Sequence, residues 1–430
     1  MVINRVVVGG LANLDRFELE LSKFNALVAL NNYGKSNVIA AIDFAIDFIT
    51  ASSAKKDGMM AFKPYIPNNI HNDELPFDFE IEFEIGPKKD PKTVVYGFSF
   101  DWIKSQTQPG KIIRSEFLKV KMSKSEPKFK TYISREFDKA LYLPTASGRC
   151  DKAVKIKPGE LVINKLLNYD ELFYLPVLEA VNQISVLHVN TLDHPDKFFR
   201  KVGKDVVKTA YSLEVPTESD VAFFMYSLLE LKSPFYEIFS DSIKTLLPAL
   251  EYFEPIEIDF RSETERKRLN VPVEFPEKIY DVRIKEHNSN QYTSIHRLSS
   301  GSQKMFYVLA MAVAAEINKV PLITFEELEN SIHPGLLQKL LQILDGILEH
   351  TKVMITSHSP YLLQYLGTDQ ISIGVPNQKG LATFRKIKKT KMKKVAAMAA
   401  EVGISMGDLI FDEMIDSAMG ESDLLNELCD

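Results

Sequence analysis

Hydrophobic and polar positions alternate in several segments of the first third of the chain. The alternation runs through residues 76–100, which include FDFEIEFEI, and recurs in 112–122 and 128–133. A period of two places apolar side chains on one face of a strand and polar side chains on the other. These segments therefore predict antiparallel strands with one solvated face.

The periodicity changes further along the chain. Residues 158–250 have mostly helical spacing, and strand-like segments return near 254–260 and 279–285. Helical and apolar strand-like segments then alternate, at 302–318, 321–325, 335–350 and 352–356. This alternation is typical of a mainly parallel sheet with helices on its faces.

The composition is that of an ordinary globular protein, with 45% hydrophobic and 26% charged residues among 430. No apolar run approaches the roughly 20 residues that a membrane helix needs. Cys150 and Cys429 provide neither a disulfide framework nor a metal-binding spacing. We therefore expect a reduced, cytoplasmic protein without a membrane partner.

The net charge of −6 conceals a basic segment at 385–394, RKIKKTKMKK. A run of this kind is commonly a solvated face. It is also the kind of segment that binds a phosphate backbone, because clustered Lys and Arg displace counterions there. The sequence leaves both interpretations open.

A candidate phosphate loop, ALNNYGKS, spans residues 29–36 between an apolar strand and a helix. It matches G-x-x-x-x-G-K-[ST] except at Ala29, where glycine is usual. Loop N–H groups and the following helix N-terminus can hold phosphate oxygens. Gly34 permits close backbone approach, Lys35 supplies positive charge and Ser36 binds Mg²⁺. The alternative is a chance match at an ordinary helix start.

Two further apolar strands end in polar side chains. If the chain is a phosphate-loop enzyme, we expect the strand in PLITFEELE, at 321–329, to bring Glu326 to the Mg²⁺ shell and Glu327 to the water that attacks the γ-phosphate. The strand at 353–357 ends at His358, which can hydrogen-bond the γ-phosphate. A solvated strand end and a structural histidine are the alternatives.

The segment RLSSGSQK, at 297–304, opens a long helix and forms a second candidate anion-binding helix N-terminus. Ser299, Ser300 and Gly301 place hydroxyl and N–H groups at a helix N-terminus. They also fit an ordinary N-cap. Two such helix ends in one chain predict a symmetric pair in which each subunit covers its partner's nucleotide.

In this order the four segments resemble the Walker A, signature, Walker B/D-loop and switch-histidine motifs of ABC-type ATPases. They are similar to the cytosolic branch that includes chromosome-maintenance, RecF-like repair and OLD-like defence ATPases, and ENSIHP after the carboxylates is typical of the OLD-like branch. The resemblance implies ATP and Mg²⁺ as cofactors. It implies that ATP contacts Asn31, Asn32, Gly34, Lys35, Ser36 and Asn37, that Ser36 and Glu326 hold Mg²⁺, that Glu327 and His358 are catalytic, and that Ser299, Ser300 and Gly301 contact the partner subunit's ATP.

The fold implied is α/β: an ABC-type ATPase head with a mainly parallel core sheet, an antiparallel β-layer and an inserted helical subdomain. We predict an N-terminal ATPase lobe at 1–150, a helical insert at 151–252, a C-terminal ATPase lobe at 253–385 and a basic, then acidic, helical tail at 386–430.

Three residues depart from the family pattern: Ala29 for Gly, Glu326 for Asp, and Ser302 for Gln or Glu. If the first loop position needs a left-handed backbone, Ala29 costs about 1 kcal/mol relative to glycine. The departures predict slow turnover more than lost nucleotide binding.

The stretch between Lys35 and Ser299 has no heptads, which excludes long coiled-coil arms, and the chain after His358 is too short for the nuclease domain of OLD-like enzymes. We therefore expect a homodimer or larger homo-oligomer that controls a separately encoded nuclease or toxin in anti-phage defence, with DNA or a phage protein as trigger. The alternatives are a RecF-like DNA-repair ATPase and a non-hydrolysing structural module.

Overall fold

The computed structural model describes residues 1–104, 112–189, 221–259, 278–359, 361–375, 379–420 and 424–429. The strands are β1 (Val2–Leu11), β2 (Leu14–Glu20), β3 (Phe24–Val28), β4 (Phe77–Ile85), β5 (Lys92–Phe100), β6 (Ile113–Lys121), β7 (Lys130–Glu136), β8 (Lys139–Tyr142), β9 (Lys152–Ala153), β10 (Val186–Val189), β11 (Leu250–Asp259), β12 (Lys278–Glu286), β13 (Thr293–Ser294), β14 (Leu322–Glu326), β15 (Lys352–Ser357), β16 (Ile371–Gly374) and β17 (Phe384–Lys386). The helices are α1 (Lys35–Thr50), α2 (Ser53–Met60), α3 (Val162–Leu166), α4 (Leu175–Asn182), α5 (Val221–Glu230), α6 (Pro234–Leu246), α7 (Ser300–Ile317), α8 (Pro334–Ile347), α9 (Tyr361–Tyr365), α10 (Met392–Val402), α11 (Met406–Met419) and α12 (Leu424–Leu428). Within these residues no helix combines the length and the apolar character that a membrane crossing requires.

The chain forms two compact units, each described below by itself. The first unit contains Met1–His188 and Lys352–Asp430, and the second contains Val189–Thr351. Residues 190–220 of the predicted helical insert lie outside the described residues, and so does Pro360, two residues after His358.

The predicted antiparallel layer is confirmed as an eight-stranded sheet in the first unit, with strand order β2-β1-β4-β5-β6-β7-β8-β9. In β4 the apolar residues from Phe77 to Phe83 are buried and the acidic residues between them are half-buried, as the alternation predicts; Ile85, at the end of the strand, is half-buried. Phe48 of α1 stacks on Phe98 of this sheet with ring centroids 5.2 Å apart. The layer therefore supports the helix that follows the phosphate loop.

The predicted parallel core is also confirmed. In the first unit β15 and β16 both pair in parallel with β3, and β17 pairs antiparallel with β16. Every residue of β3 is buried, which is the mark of a strand covered on both faces. The C-terminal helices contribute to that cover, since Val28, Ile373, Val395 and Ile410 belong to one buried cluster.

The second unit is organised around α7. Every residue of this helix from Gln303 to Ile317 is buried, so the helix is central rather than amphipathic. The antiparallel strands β11, β12 and β13 form a small sheet beside α5. β14 follows α7, with its residues from Leu322 to Phe325 buried.

A buried lysine closes the C-terminal end of α1. Lys56 is 2% exposed, and its Nζ donates to the Ala51 carbonyl at 2.6 Å and to Oδ1 of Asn164 at 2.8 Å. A cation there is favoured by the helix dipole. Burial nevertheless lowers the pKa of Lys56 to about 8, although the negative charge of Glu116 acts to raise it.

We expect the wild type to gain stability relative to Lys56→Met as the pH rises. Folded Lys56 loses its proton near pH 8, whereas the unfolded side chain holds it to about pH 10.5. The unfolded state then binds more protons, so stability rises with pH through this window. Urea titration from about pH 7.5 to about 9.5 should give the wild type about 2 kcal/mol of additional unfolding free energy.

Lys55→Met is the matched control, because Lys55 is exposed and lies in α2, the helix that also contains Lys56. It should show no such pH-dependent difference. A difference between wild type and Lys56→Met that stays constant with pH would contradict the prediction.

Candidate functional site

The phosphate loop joins β3 to α1 in the first unit. Ala29 extends the sheet pairing, since its N–H donates to the Ser357 carbonyl at 3.2 Å. The loop then passes through Asn32, with φ 60°, and Gly34, with φ 109°. Both are left-handed conformations, which asparagine and glycine tolerate better than other residues. α1 begins directly after this turn, so its N-terminus faces the loop.

Gly34 is required by its surroundings as well as by its backbone angles. A Cβ there would lie 2.7 Å from the Cβ of Ala382 and 2.8 Å from Oδ1 of Asn13. Asn13 accepts from Nδ2 of Asn37 at 2.7 Å and donates to the Tyr33 carbonyl at 3.4 Å. Asn37, a predicted ATP contact, therefore supports the loop through Asn13.

The Lys35 side chain lies against its own loop. Its Nζ donates to the carbonyls of Ala29 at 2.8 Å and Leu30 at 3.0 Å. Lys35 is only 7% exposed, so its amino group is held within the predicted phosphate loop. Three other predicted contacts are exposed, namely Asn31, Asn32 and Ser36.

Ala29 replaces the usual glycine without left-handed strain. It is not among the described residues with positive φ, so the cost expected for a left-handed alanine does not arise. A glycine elsewhere provides the space: a Cβ on Gly374 would lie 2.5 Å from the Cβ of Ala29 and 2.6 Å from Cδ1 of Tyr33. In the usual motif a glycine at the first loop position leaves the space. Here Gly374, at the end of β16, leaves the space for the Ala29 methyl group.

Restoring the usual motif by Ala29→Gly should therefore weaken the protein. The change removes a fully buried methyl group and adds freedom to the unfolded chain, which together cost about 1–2 kcal/mol of unfolding free energy. Urea titration measures the loss, and nucleotide titration should show no gain in ATP affinity. A more stable, tighter-binding Ala29→Gly protein would mean that alanine strains the loop.

Tyr33 fixes the loop to the end of the parallel sheet. Its hydroxyl donates to the Val375 carbonyl and lies 3.4 Å from Oγ1 of Thr383. Its ring meets Phe384 of β17 edge to face, with centroids 5.7 Å apart. Burial raises the pKa of Tyr33. Tyr33 was not predicted as a functional residue, and its only signal in the sequence is a large aromatic side chain inside a loop.

His358 comes directly after β15. The pairing of β15 with β3 places Ser357 opposite Val28, so the strand that delivers His358 ends beside the start of the phosphate loop. His358 is half-buried. Its role as γ-phosphate sensor stays a prediction.

In the second unit, β14 ends at Glu326, and both Glu326 and Glu327 are half-buried. Glu327 has a left-handed backbone, with φ 49°. Its carboxylate Oε2 accepts from Nδ2 of Asn330 at 2.7 Å. Glu329 is 8% exposed, so it is not a solvated surface charge. The turn after β14 is thus a specific structure rather than a frayed strand end.

The signature segment forms the N-terminus of α7. Ser299 caps the helix by accepting from the Ser302 N–H at 3.2 Å, and its hydroxyl lies 2.9 Å from that of Ser302. The N-cap interpretation is therefore correct for Ser299, while Ser300 is exposed at the first helical position. Gly301 must be glycine, because a Cβ would lie 2.5 Å from the Ser331 carbonyl oxygen.

The predicted residues divide between the two units. Lys35, Ser36 and His358 belong to the first, and Glu326, Glu327 and the signature residues belong to the second. Mg²⁺ at nucleotide sites takes few protein ligands and fills its shell with phosphates and water. The exposed hydroxyl of Ser36 and the half-buried carboxylate of Glu326 are oxygen ligands of the kind that Mg²⁺ prefers.

Comparisons with known proteins bear on the fold. Residues 183–364 match the family model "AAA domain, putative AbiEii toxin, Type IV TA system". The sequence has no match among curated proteins. The chain is similar to the SMC head crystallised with the C-winged helix domain of ScpA, with a TM-score of 0.51 and 12% identity over 92% of this chain and 100% of that one.

Two other solved structures match over similar lengths, each at 12% identity. The SMC head domain from Thermotoga maritima has a TM-score of 0.42, with 90% of this chain and 100% of that chain covered. The SMC head with an extended coiled coil bound to the C-terminal domain of ScpA, from Pyrococcus furiosus, has a TM-score of 0.44, with 93% and 99% covered. The likeness to the first SMC head, together with the mixed α/β architecture, shows that the chain has the fold of an ABC-type ATPase head.

Proposed function

We propose that this protein binds ATP with Mg²⁺ and hydrolyses it slowly. The observation that carries the proposal is the phosphate loop, in which a left-handed Gly34 leads directly into α1 and the Lys35 side chain is buried against the loop carbonyls of Ala29 and Leu30. Helix N–H groups and a lysine charge are what a polyphosphate requires. Mg²⁺, held by Ser36 and Glu326, would neutralise charge on the phosphates. Glu327 would take a proton from the water that attacks the γ-phosphate.

We further propose that two heads pair head to tail, each covering the other's nucleotide with Ser299, Ser300 and Gly301. Ser300 is exposed at the first position of α7, where a helix N-terminus attracts anions. ATP would then contact both subunits and favour the closed pair. Sedimentation velocity tests this pairing: the Glu327→Gln protein should be monomeric without nucleotide and dimeric with ATP and Mg²⁺. An unchanged sedimentation coefficient would count against it.

The nucleotide-gated pair would act as the sensor and scaffold of an anti-phage defence system that controls a separate nuclease or toxin. The matching family model is described as "AAA domain, putative AbiEii toxin, Type IV TA system", and this description supports a role beside a second component of such a system. Affinity purification from the native host with its neighbouring genes intact should recover an effector protein. Recovery of the head protein alone, with and without ATP, would contradict the role.

A RecF-like DNA-binding ATPase is the second candidate, and the basic segment 385–394 favours it. Arg385 and Lys389 are exposed, and α10 carries Lys393 and Lys394 in its first turn, where the helix dipole adds to the positive potential. This candidate predicts ATP-dependent DNA binding that weakens steeply with salt. DNA binding that is absent at low salt would exclude it.

A further inference from the structure

The backbone around Glu327 is held in an uncommon conformation at both ends of one turn. Glu327 has φ 49° and Ser331 has φ 62°. Residues with side chains rarely adopt this region, and it persists where surrounding contacts determine it. Glu327 also follows β14 directly, so this turn decides where its carboxylate points.

A buried lysine from the signature helix binds this turn. Nζ of Lys304, on α7, donates to the Glu327 carbonyl at 3.0 Å and to the Asn330 carbonyl at 2.8 Å. Lys304 is 1% exposed. Burying an ammonium is unfavourable unless it is well hydrogen-bonded. The two carbonyls of the turn therefore stabilise the buried ammonium of Lys304.

Asn330 completes the arrangement from within the turn. Its N–H donates to the Glu327 carbonyl at 3.1 Å, and its side-chain Nδ2 donates to Oε2 of Glu327 at 2.7 Å. The hydrogen bond from the Asn330 side chain therefore orients the carboxylate, while the hydrogen bond from its backbone N–H fixes the turn that carries it. Hydrogen bonds to a charged acceptor are stronger than those between neutral groups.

The signature helix also touches the far end of the same turn. The Ser331 carbonyl oxygen approaches so closely that only glycine fits at position 301. The N-terminal part of α7 thus contacts the turn at Ser331 through Gly301 and at Glu327 through Lys304. A displacement of α7 would move the carboxylate of Glu327 with it.

We propose that Lys304 and Asn330 are positioning residues for the Glu327 carboxylate, and that through them α7 sets its place. This inference rests on the proposed function, in which Glu327 activates water. It assigns Lys304 and Asn330 to the chemical step and not to ATP binding. A displaced general base affects turnover selectively, and a shift of about 1 Å in a catalytic group can lower the rate about 100-fold.

Steady-state hydrolysis by Asn330→Ala and Lys304→Met tests the inference. We expect kcat to fall at least about tenfold in each, while KM and the affinity for a fluorescent ATP analogue stay within about twofold. Lys304→Arg should recover most of the rate, because a guanidinium can still donate to both carbonyls. Asn318→Ala is the matched control: Asn318 caps the other end of α7 through a similar bond, Nδ2 to the Ala314 carbonyl at 2.8 Å, and its loss should leave kcat unchanged.

The same substitutions in a Glu327→Gln background separate positioning from general support of the fold. Where the general base is already absent, Asn330→Ala should lower the residual rate by less than about twofold. An equal loss in both backgrounds, or a wild-type kcat in Asn330→Ala and Lys304→Met, would overturn the inference. Equal rates in the wild type and Glu327→Gln would instead refute the proposed role of Glu327 itself.

Discussion

Lys35→Ala should reduce ATP affinity by about 100-fold or more, because a charged hydrogen bond to phosphate contributes about 1.5–3 kcal/mol and phosphate repulsion is then uncompensated. The Lys35 ammonium is buried against the loop, 2.8 Å from the Ala29 carbonyl oxygen. It is therefore already in the loop when nucleotide arrives, and little side-chain freedom is lost on binding. Anisotropy titration with a fluorescent ATP analogue measures the loss.

Lys63→Ala is the control for this prediction, since Lys63 is an exposed lysine of the same unit. It should bind nucleotide as the wild type does. An affinity for Lys35→Ala within threefold of the wild type would mean that residues 29–36 do not hold phosphate. Circular dichroism of both variants establishes that the fold is retained.

Glu327→Gln should lower the rate of ATP hydrolysis by about 100-fold to 1,000-fold, in the range that loss of a general base produces. Glutamine keeps the size of the side chain and can still accept from Nδ2 of Asn330. The turn should therefore stay intact while the proton acceptor is lost. ATP affinity should be preserved, and phosphate release under steady-state conditions measures the rate.

Glu286→Gln, an exposed glutamate of the same unit, serves as the reference substitution and should leave the rate unchanged. If the wild type and Glu327→Gln hydrolyse ATP at the same low rate, the protein is a nucleotide-binding structural module. A large fall in ATP affinity would show that Glu327 supports the site's architecture more than its chemistry.

Local patterns in the sequence predict much of this fold. The alternation in FDFEIEFEI corresponds to β4, whose buried and half-buried positions follow the predicted order from Phe77 to Glu84. The apolar run before the phosphate loop is β3, and the helical spacing after it is α1. These features depend on periodicities within a few residues, which is the scale on which side-chain burial is visible in a sequence.

Contacts between segments that are distant along the chain could not be predicted from the sequence. The space around Ala29 comes from Gly374, and Tyr33 is bound by Val375 and Thr383. More than 300 residues separate these partners along the chain. A motif shows which residue replaces the usual glycine, but only the folded sheet shows where the compensating space lies.

The turn after β14 illustrates the same limit at short range. The sequence has glutamates at 326, 327 and 329 after an apolar strand, and the structure distinguishes them. Glu327 is left-handed and bonded to Asn330, while Glu329 is buried. Lys304 holds the turn, but in the sequence it is visible only as part of the signature segment. A buried lysine cannot be told from a solvated one by its position in a helix start.

Mixing two inactive variants tests head-to-tail pairing most directly. Lys35→Ala disables the phosphate loop, whereas Ser300→Glu places a repelling charge at the exposed first position of α7, where an acidic residue is tolerated by the helix. Each homodimer then has no complete site, but a mixed dimer has one. Equimolar mixing should restore about a quarter of the wild-type hydrolysis rate, since half of randomly formed dimers are mixed and each has one of two sites. A mixture no more active than either variant alone would contradict head-to-tail pairing.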